Sequence, residues 1–337
     1  MAIFDPKSLR AEEFINDEEI RETIAYAEAN KHNIELINSL LEKAAPKRSG
    51  NGVTCAGLTH REASVLLACD IPEVTERMYK LANDIKLAFY GKGGIGKSTA
   101  ASNVSVALAQ KGLKVMQIGC DPKADSTIFL HGGERIPTVL DLVRKGESFD
   151  LEDMVRVGYN GVVCVEAGGP VPGLGCAGRG IIAALEELEK KGAYEKYQPD
   201  VVIYDVLGDV VCGGFSMPMR KGYADKVFII TSGESMSVYA AANIAMAVEN
   251  FKSRGYASLG GFILNKRNVK NEEEKAAELA ADFHSSVIAE IDRSDLVSEA
   301  EDMHKTVMEA FPDSTAAEQY RALADKIAEL CGMGEEK

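Results

Sequence analysis

Apolar residues follow two different rhythms along this chain. Through residues 16–45, "NDEEIRETIAYAEANKHNIELINSLLEKAA", they recur at the three- and four-residue spacing of amphipathic helices. Asn16 with Glu19 has the spacing of an N-terminal capping pair. Thr59 with Glu62 fits the capping box that opens another helix, and a further helix is expected after Pro72. Between these, "PKRSGNGV" at 46–53 is rich in turn formers and is expected to be a loop. From Ile85 the rhythm changes. Short apolar runs ("IKLAFY", "KVMQIGCD", "GVVCVEA", "DVVIYDV", "KVFIITS", "GGFILN") alternate with helical stretches. Strands buried on both faces carry such runs, and their alternation with helices predicts a doubly wound, mostly parallel α/β sheet. The expected organisation is a helical N-terminal extension over 1–84, followed by a single α/β domain over 85–337.

The turn after "IKLAFY" carries the first chemistry. "GKGGIGKS" comprises Gly91, Lys92, Gly93, Gly94, Ile95, Gly96, Lys97 and Ser98, with Thr99 next, and it matches GxxxxGK[ST]. Glycines let backbone N–H groups turn toward phosphate oxygens, and the following helix adds its positive end. In such a loop Lys97 reaches the β- and γ-phosphates and Ser98 ligates Mg²⁺. The strand-then-helix context is the one the motif requires, which makes a chance glycine-rich turn the weaker alternative. The domain is therefore expected to be a P-loop ATPase. Lys92, a second lysine inside the loop, is on these grounds equally a solvated cation.

Two other strand ends bring acids toward that loop. "GCDPKADST" at 119–127 follows the second strand. Asp121 and Asp125 there suit the orientation of water or Mg²⁺, and Lys123 a contact to phosphate; a plain polar loop is the alternative. Asp205 ends "VVIYD" as a Walker-B-type carboxylate, with Asp209 placed to respond to a γ-phosphate. The chain then reaches Cys212, at most roughly 25 Å away when fully extended. Cys212 can thus stand apart from the phosphates and still move with them.

Composition narrows the function. A formal net charge of −14 disfavours nucleic acid or an anionic membrane as partner. No run approaches the ~18–20 apolar residues of a membrane span, and the N-terminus lacks a signal pattern, so a soluble, cytoplasmic protein is expected. Seven cysteines without a CxxC pair fit free thiols or metal ligands in a reducing compartment. Cys120, Cys164 and Cys331, with Cys55 and Cys69, are expected to be small buried apolar residues. Cys176 in "GPVPGLGCAGRG" and Cys212 before Gly213-Gly214 differ. Their neighbours lack side chains, and such backbone donates N–H groups to sulfur. Two ligands per chain do not complete a Cys₄ iron–sulfur site, whereas two chains across a two-fold axis do.

The phosphate loop resembles the deviant Walker A of septum-site ATPases, ParA-like partition ATPases and nitrogenase iron proteins. With "EAGGPVPGLGCAGRGII", "YDVLGDVVCGGFSMPMR" and "GGFILNKRN" in order, residues 86–326 resemble the nitrogenase iron protein family. The resemblance implies a homodimer in which Lys92 reaches the partner's nucleotide. It implies MgATP in each subunit and one 4Fe–4S cluster held by Cys176 and Cys212 of both. Asp121 to Asp125 would be switch I and Asp205 to Cys212 switch II. Asn265 matches an adenine-contacting asparagine, and Arg179 an arginine that some members carry ADP-ribosylated; here it is expected to be an ordinary docking-surface cation. The implied activity is ATP-dependent electron donation, from ferredoxin or flavodoxin to a nitrogenase-like catalytic component. Relatives with this core serve tetrapyrrole or thioether reduction, an open alternative. A cluster-free ParA-like ATPase is opposed by the cysteine segments, and an iron–sulfur carrier by the missing CxxC. Two departures stand out. Asp292-Arg293-Ser294 replaces the family's Pro-Arg-Asp, and its long C-terminal extension has no counterpart beyond Lys326, so dimer contacts are expected elsewhere. The N-terminal stretch is similar to the helical N-terminus of the radical-SAM tyrosine lyase of iron-only hydrogenase maturation. That enzyme's CxxxCxxC is absent here, and a packed helical appendage is expected.

Overall fold

The computed structural model describes residues 17–43, 45–49, 52–56, 58–69, 85–146, 148–169, 177–206, 217–219, 223–252 and 256–333. The chain divides into two compact units, Met1–Asp84 and Ile85–Lys337.

In the first unit α1 (Asp17–Asn30), α2 (Ile34–Lys43) and α3 (His60–Ala68) enclose a small core. Ile37, Leu40, Leu41, Val65, Leu66 and Cys69 are buried in it. The capping box forms as expected. Thr59 Oγ1 accepts from the Glu62 N–H at 3.3 Å, and the Thr59 N–H donates to Glu62 Oε2 at 2.9 Å. Lys43 Nζ also donates to Glu62, at 2.6 Å. That bond, followed by the Thr59 N–H, holds the Glu62 carboxyl down at about 2. The stretch expected to be a loop is instead an antiparallel hairpin, β1 (Ala45–Ser49) with β2 (Gly52–Ala56), in register from Ala45↔Ala56 to Ser49↔Gly52. Only residues 50 and 51 separate the two strands in sequence. Asn16 and the helix expected after Pro72 lie outside the described residues.

The second unit is an eight-stranded sheet in the order β10-β9-β8-β3-β7-β4-β6-β5. In chain order the strands are β3 (Ile85–Tyr90), β4 (Val115–Gly119), β5 (Val155–Val157), β6 (Val163–Glu166), β7 (Val201–Asp205), β8 (Lys226–Thr231), β9 (Ser258–Asn265) and β10 (Val287–Ile291). All pairs are parallel except β5 with β6. The helices are α4 (Lys97–Gln110), α5 (Val139–Lys145), α6 (Leu151–Met154), α7 (Ala177–Lys190), α8 (Ala193–Tyr197), α9 (Ser235–Lys252), α10 (Glu272–Asp282), α11 (Asp295–Asp302), α12 (Val307–Ala310) and α13 (Thr315–Cys331). The expected doubly wound α/β class is observed, with β5 and β10 added at the two edges.

Strand alternation sorts the core onto two faces. Ala88, Tyr90, Val202, Tyr204, Val227 and Ile229 face one layer with α7 and α9; Leu87, Phe89, Val201, Ile203, Phe228 and Ile230 face the other with α4 and α13. Each fully buried large side chain contributes about 1.5–3 kcal/mol, so the central strands are the stable platform for whatever their ends carry. α4 is covered nearly all round, and its polar residues are paired. Ser105 Oγ donates to Gln117 Oε1 at 2.8 Å, and Asn103 Oδ1 accepts from the Met308 N–H at 3.0 Å. Among the described residues no helix is long and apolar enough to cross a membrane.

Candidate nucleotide site

The carboxyl ends of β3, β4, β6 and β7 meet where the chain, having run one way from β3, crosses back to β8. Open α/β sheets bind ligands at such a point. β3 leads into Gly91, whose φ of 152° and whose approach to β8 both demand glycine: a Cβ there would lie 2.3 Å from the Ile230 carbonyl oxygen. The loop then turns into α4 through Gly96, φ 94°. Open space adjoins Gly93 and Gly94. The loop is braced from within and below. Lys97, almost buried, donates from Nζ to the Lys92 carbonyl at 3.2 Å. Asn265 Nδ2 donates to the Ile95 carbonyl at 2.7 Å, and Arg267 Nη2 to the Gly94 carbonyl at 2.9 Å. Ile95 packs its side chain in the core, so only its backbone serves the loop. Thr99 Oγ1 donates to Glu301 Oε1 at 3.2 Å.

The sheet register then sets two carboxylates on one face. Asp205 of β7 pairs with Gly119 of β4, and Gly119 pairs with Glu166 of β6. Gly119 leaves the space that Glu166 takes, since a Cβ would fall 2.0 Å from Glu166 Oε2. Asp205 is buried beside the hydroxyls of Ser98 and Ser126, and its Oδ1 has no partner. Burial raises its proton affinity; those hydroxyls and the Lys97 charge oppose this, and Asp121 adds to it. Glu166 is also buried, and Oε1 accepts from the Thr127 N–H at 2.8 Å and from Thr127 Oγ1 at 2.7 Å. Its Oε2 has no partner. Burial pushes its pKa up to about 7, against the Thr127 hydrogen bonds and with help from the charges of Asp205 and Asp125.

The segment after β4 completes the site. Asp121 Oδ1 accepts from the Lys123 N–H at 2.9 Å, closing a local turn, and Lys123 itself is exposed. Asp125 is half-buried. Gln117, buried beneath, donates from Nε2 to Ser126 O and to Ser126 Oγ, both at 3.0 Å, and so fixes this segment to the sheet. The structure therefore brings together Gly91, Lys92, Gly96, Lys97, Ser98, Asp205 and Asn265. Asp209, Cys176 and Cys212 lie outside the described residues.

This arrangement fits a magnesium–nucleotide. A buried carboxylate oxygen lacking a partner stands beside a serine hydroxyl and a lysine, under an open glycine loop at a helix start. Unrelieved negative charge there is what a divalent cation neutralises. Ser98 and Asp205 could hold such a cation, and the loop with Lys97 could take the phosphates. Burial first, then Asp205, Glu166 and Asp121, push the Cys120 thiol well up. Cys69 and Cys164 are buried as expected, and Cys331 is only half-buried, with burial lifting its thiol to about 11. Cys55 lies on β2, its side chain undescribed.

Sequence reasoning missed Glu166, Gln117 and Arg267. Glu166 sits inside an otherwise apolar strand, and an acid at a strand's last position beside a phosphate loop is the signal that marks it. Arg267 acts across a long sequence separation, with no local pattern to flag it.

Comparison with known proteins bears on the second unit. The family described as "4Fe-4S iron sulfur cluster binding proteins, NifH/frxC family" matches residues 85–332. The nitrogenase iron protein of Methanospirillum hungatei is 54% identical over 246 residues, covering 72% of this chain and 87% of that protein. Nitrogenase iron protein 2 of Paenibacillus durus is 49% identical over 250 residues, covering 74% and 86%. Among solved structures, the cell division ATPase MinD of Pyrococcus furiosus superposes with a TM-score of 0.57 at 20% identity, covering 73% of this chain and 100% of that one. MinD of Pyrococcus horikoshii, complexed with Mg-ADP, gives 0.58 at 20% identity, covering 75% and 100%. These structural likenesses concern the fold alone.

Proposed function

The chain belongs to the NifH/frxC family of 4Fe–4S cluster binding proteins, and from that premise we propose that it is the ATP-driven electron donor of a two-component reductase. Its cofactors are those of the family, a 4Fe–4S cluster and MgATP. In this reading it works as a homodimer, takes electrons from ferredoxin or flavodoxin, and passes them to a nitrogenase-like catalytic component in the cytoplasm. The identities with nitrogenase iron proteins favour the nitrogenase branch over tetrapyrrole or thioether reduction as the process served.

One observation carries the reading. The unpartnered oxygen of Asp205 stands beside Ser98 and Lys97 on the strand whose continuation in sequence reaches Cys212. Ser98 and Asp205 hold Mg²⁺, and the loop N–H groups with Lys97 hold the phosphates. Lys92 reaches the partner's nucleotide, and Asn265 the adenine. Asp121, Asp125 and Asp209 orient the attacking water and respond to the γ-phosphate. Cys176 and Cys212 of both subunits ligate the cluster, which supplies the low-potential electron. Hydrolysis changes the charge that Asp205 faces, and the Asp205–Cys212 segment carries that change toward the thiolates. The N-terminal unit, helices with a hairpin, lies outside the residues the family matches.

Cys212→Ser tests the ligand assignment. The variant is expected to bind MgATP and to lack iron after anaerobic reconstitution. Full iron content in that variant refutes the assignment.

A further inference from the structure

The acid that the nucleotide reading leaves unused is Glu166. It ends β6, and the chain beyond it continues in sequence to Cys176, as the chain beyond Asp205 continues to Cys212. Neighbouring residues of one segment meet the two acids. Ser126 lies beside Asp205, while Thr127 gives Glu166 Oε1 both its N–H and its hydroxyl. The contacts continue past the carboxylate. The Ala167 N–H donates to the Gly119 carbonyl at 2.8 Å. Gly169 lies so close to Pro122 that a Cβ would come within 2.2 Å of its ring. The start of the Cys176 segment is thus seated on the Asp121–Asp125 turn itself. Glu166 is 1% exposed, and Gly119, having no side chain, makes room for it.

We propose that Glu166 is a positioning residue that couples the 121–127 segment, through Thr127 and the Gly169–Pro122 contact, to the strand leading to Cys176. Nucleotide state then reaches both cysteine segments, by Asp205 toward Cys212 and by Glu166 toward Cys176. A displacement of 121–127 on phosphate binding must either carry the end of β6 with it or break two hydrogen bonds to a buried carboxylate, which are among the stronger ones a protein makes. The inference rests on the reading in which Cys176 and Cys212 hold the cluster.

The test uses the full-length dimer, purified anaerobically, in four variants: Glu166→Ala, Glu166→Gln, Thr127→Val and Cys176→Ser. Iron content, MgATP affinity and the rate at which a ferrous chelator strips iron are measured with and without MgATP. Glu166→Ala and Thr127→Val are expected to keep their iron and bind MgATP, while the ratio of stripping rates with and without nucleotide falls by about fivefold or more. Glu166→Gln keeps an acceptor oxygen for Thr127 and is expected to restore the ratio. A parental ratio in Thr127→Val, or a Glu166→Gln as impaired as Glu166→Ala, overturns the proposal. Should Glu166→Ala fail to fold, Thr127→Val decides, since it keeps the side-chain volume and loses only the hydroxyl. Cys176→Ser separates the two readings: full iron there defeats the cluster assignment, whatever the other variants do.

Discussion

Asp205 and Glu166 stand in one row of the sheet, on the strands either side of β4, with Gly119 between them. Both are buried, and both keep one oxygen without a partner. They differ in what surrounds them. Asp205 has Lys97 and the hydroxyls of Ser98 and Ser126, so a positive charge and the phosphate loop are at hand. Glu166 has the Thr127 N–H and hydroxyl, and the charges of Asp205 and Asp125 raise it further. In the proposed function the first holds the cation. The second is poised near neutrality and serves to position a segment. Burial alone does not assign a buried acid its task; the sign of the nearest charge does.

The largest effect expected on the Asp205 side comes from Lys97→Gln. ATP hydrolysis, followed by phosphate release, should fall on the order of 10²–10³-fold, because a cation aimed at developing charge is lost. Hydrolysis at the parental rate would break the distinction between the two acids. Asp205→Asn should cost hydrolysis on the order of 10²-fold while raising the melting temperature of the nucleotide-free protein, since a buried charge becomes a neutral isostere. A drop in both would show that Asp205 is held for stability instead.

The Glu166 side predicts a pH effect. Its folded pKa, about 7, lies above the ordinary 4.5. The stability linked to this group is therefore fully present below pH 4.5 and is lost as pH rises through 7. Glu166→Gln should flatten that slope in nucleotide-free protein and gain roughly 2–3 kcal/mol above pH 7, read from denaturant unfolding across pH 4.5–8. An unchanged slope would place the titration elsewhere. The smallest effect belongs to the residue between them. Gly119→Ala should cost about 1–2 kcal/mol, because its Cβ meets Glu166 Oε2 and Ser126 Cβ, and the melting temperature reports it.

Much of this was legible in the residues themselves. The spacing of Gly91, Gly96, Lys97 and Ser98 encodes a local backbone shape, and continuous apolar runs mark strands that are covered on both faces. Other features depend on the sheet being assembled. β10 is only partly covered, so its apolar pattern is weak, and β5 is three residues long. The β1–β2 hairpin hid behind Pro46 and Gly52, residues that loops and hairpin tips share. Glu166 ends an apolar strand, and only the assembled sheet sets Gly119 of β4 beside it. Arg267 braces Gly94 from far along the chain, a contact no local pattern announces.

The central claim is an ATP-gated cluster bridging two copies of this chain. It is tested most directly by iron content and EPR of the anaerobically purified protein, with and without MgATP. The account predicts about four irons per dimer and a reduced-cluster signal whose shape changes when the nucleotide is added. Iron-free protein after anaerobic reconstitution, with ATP hydrolysis retained, would contradict it.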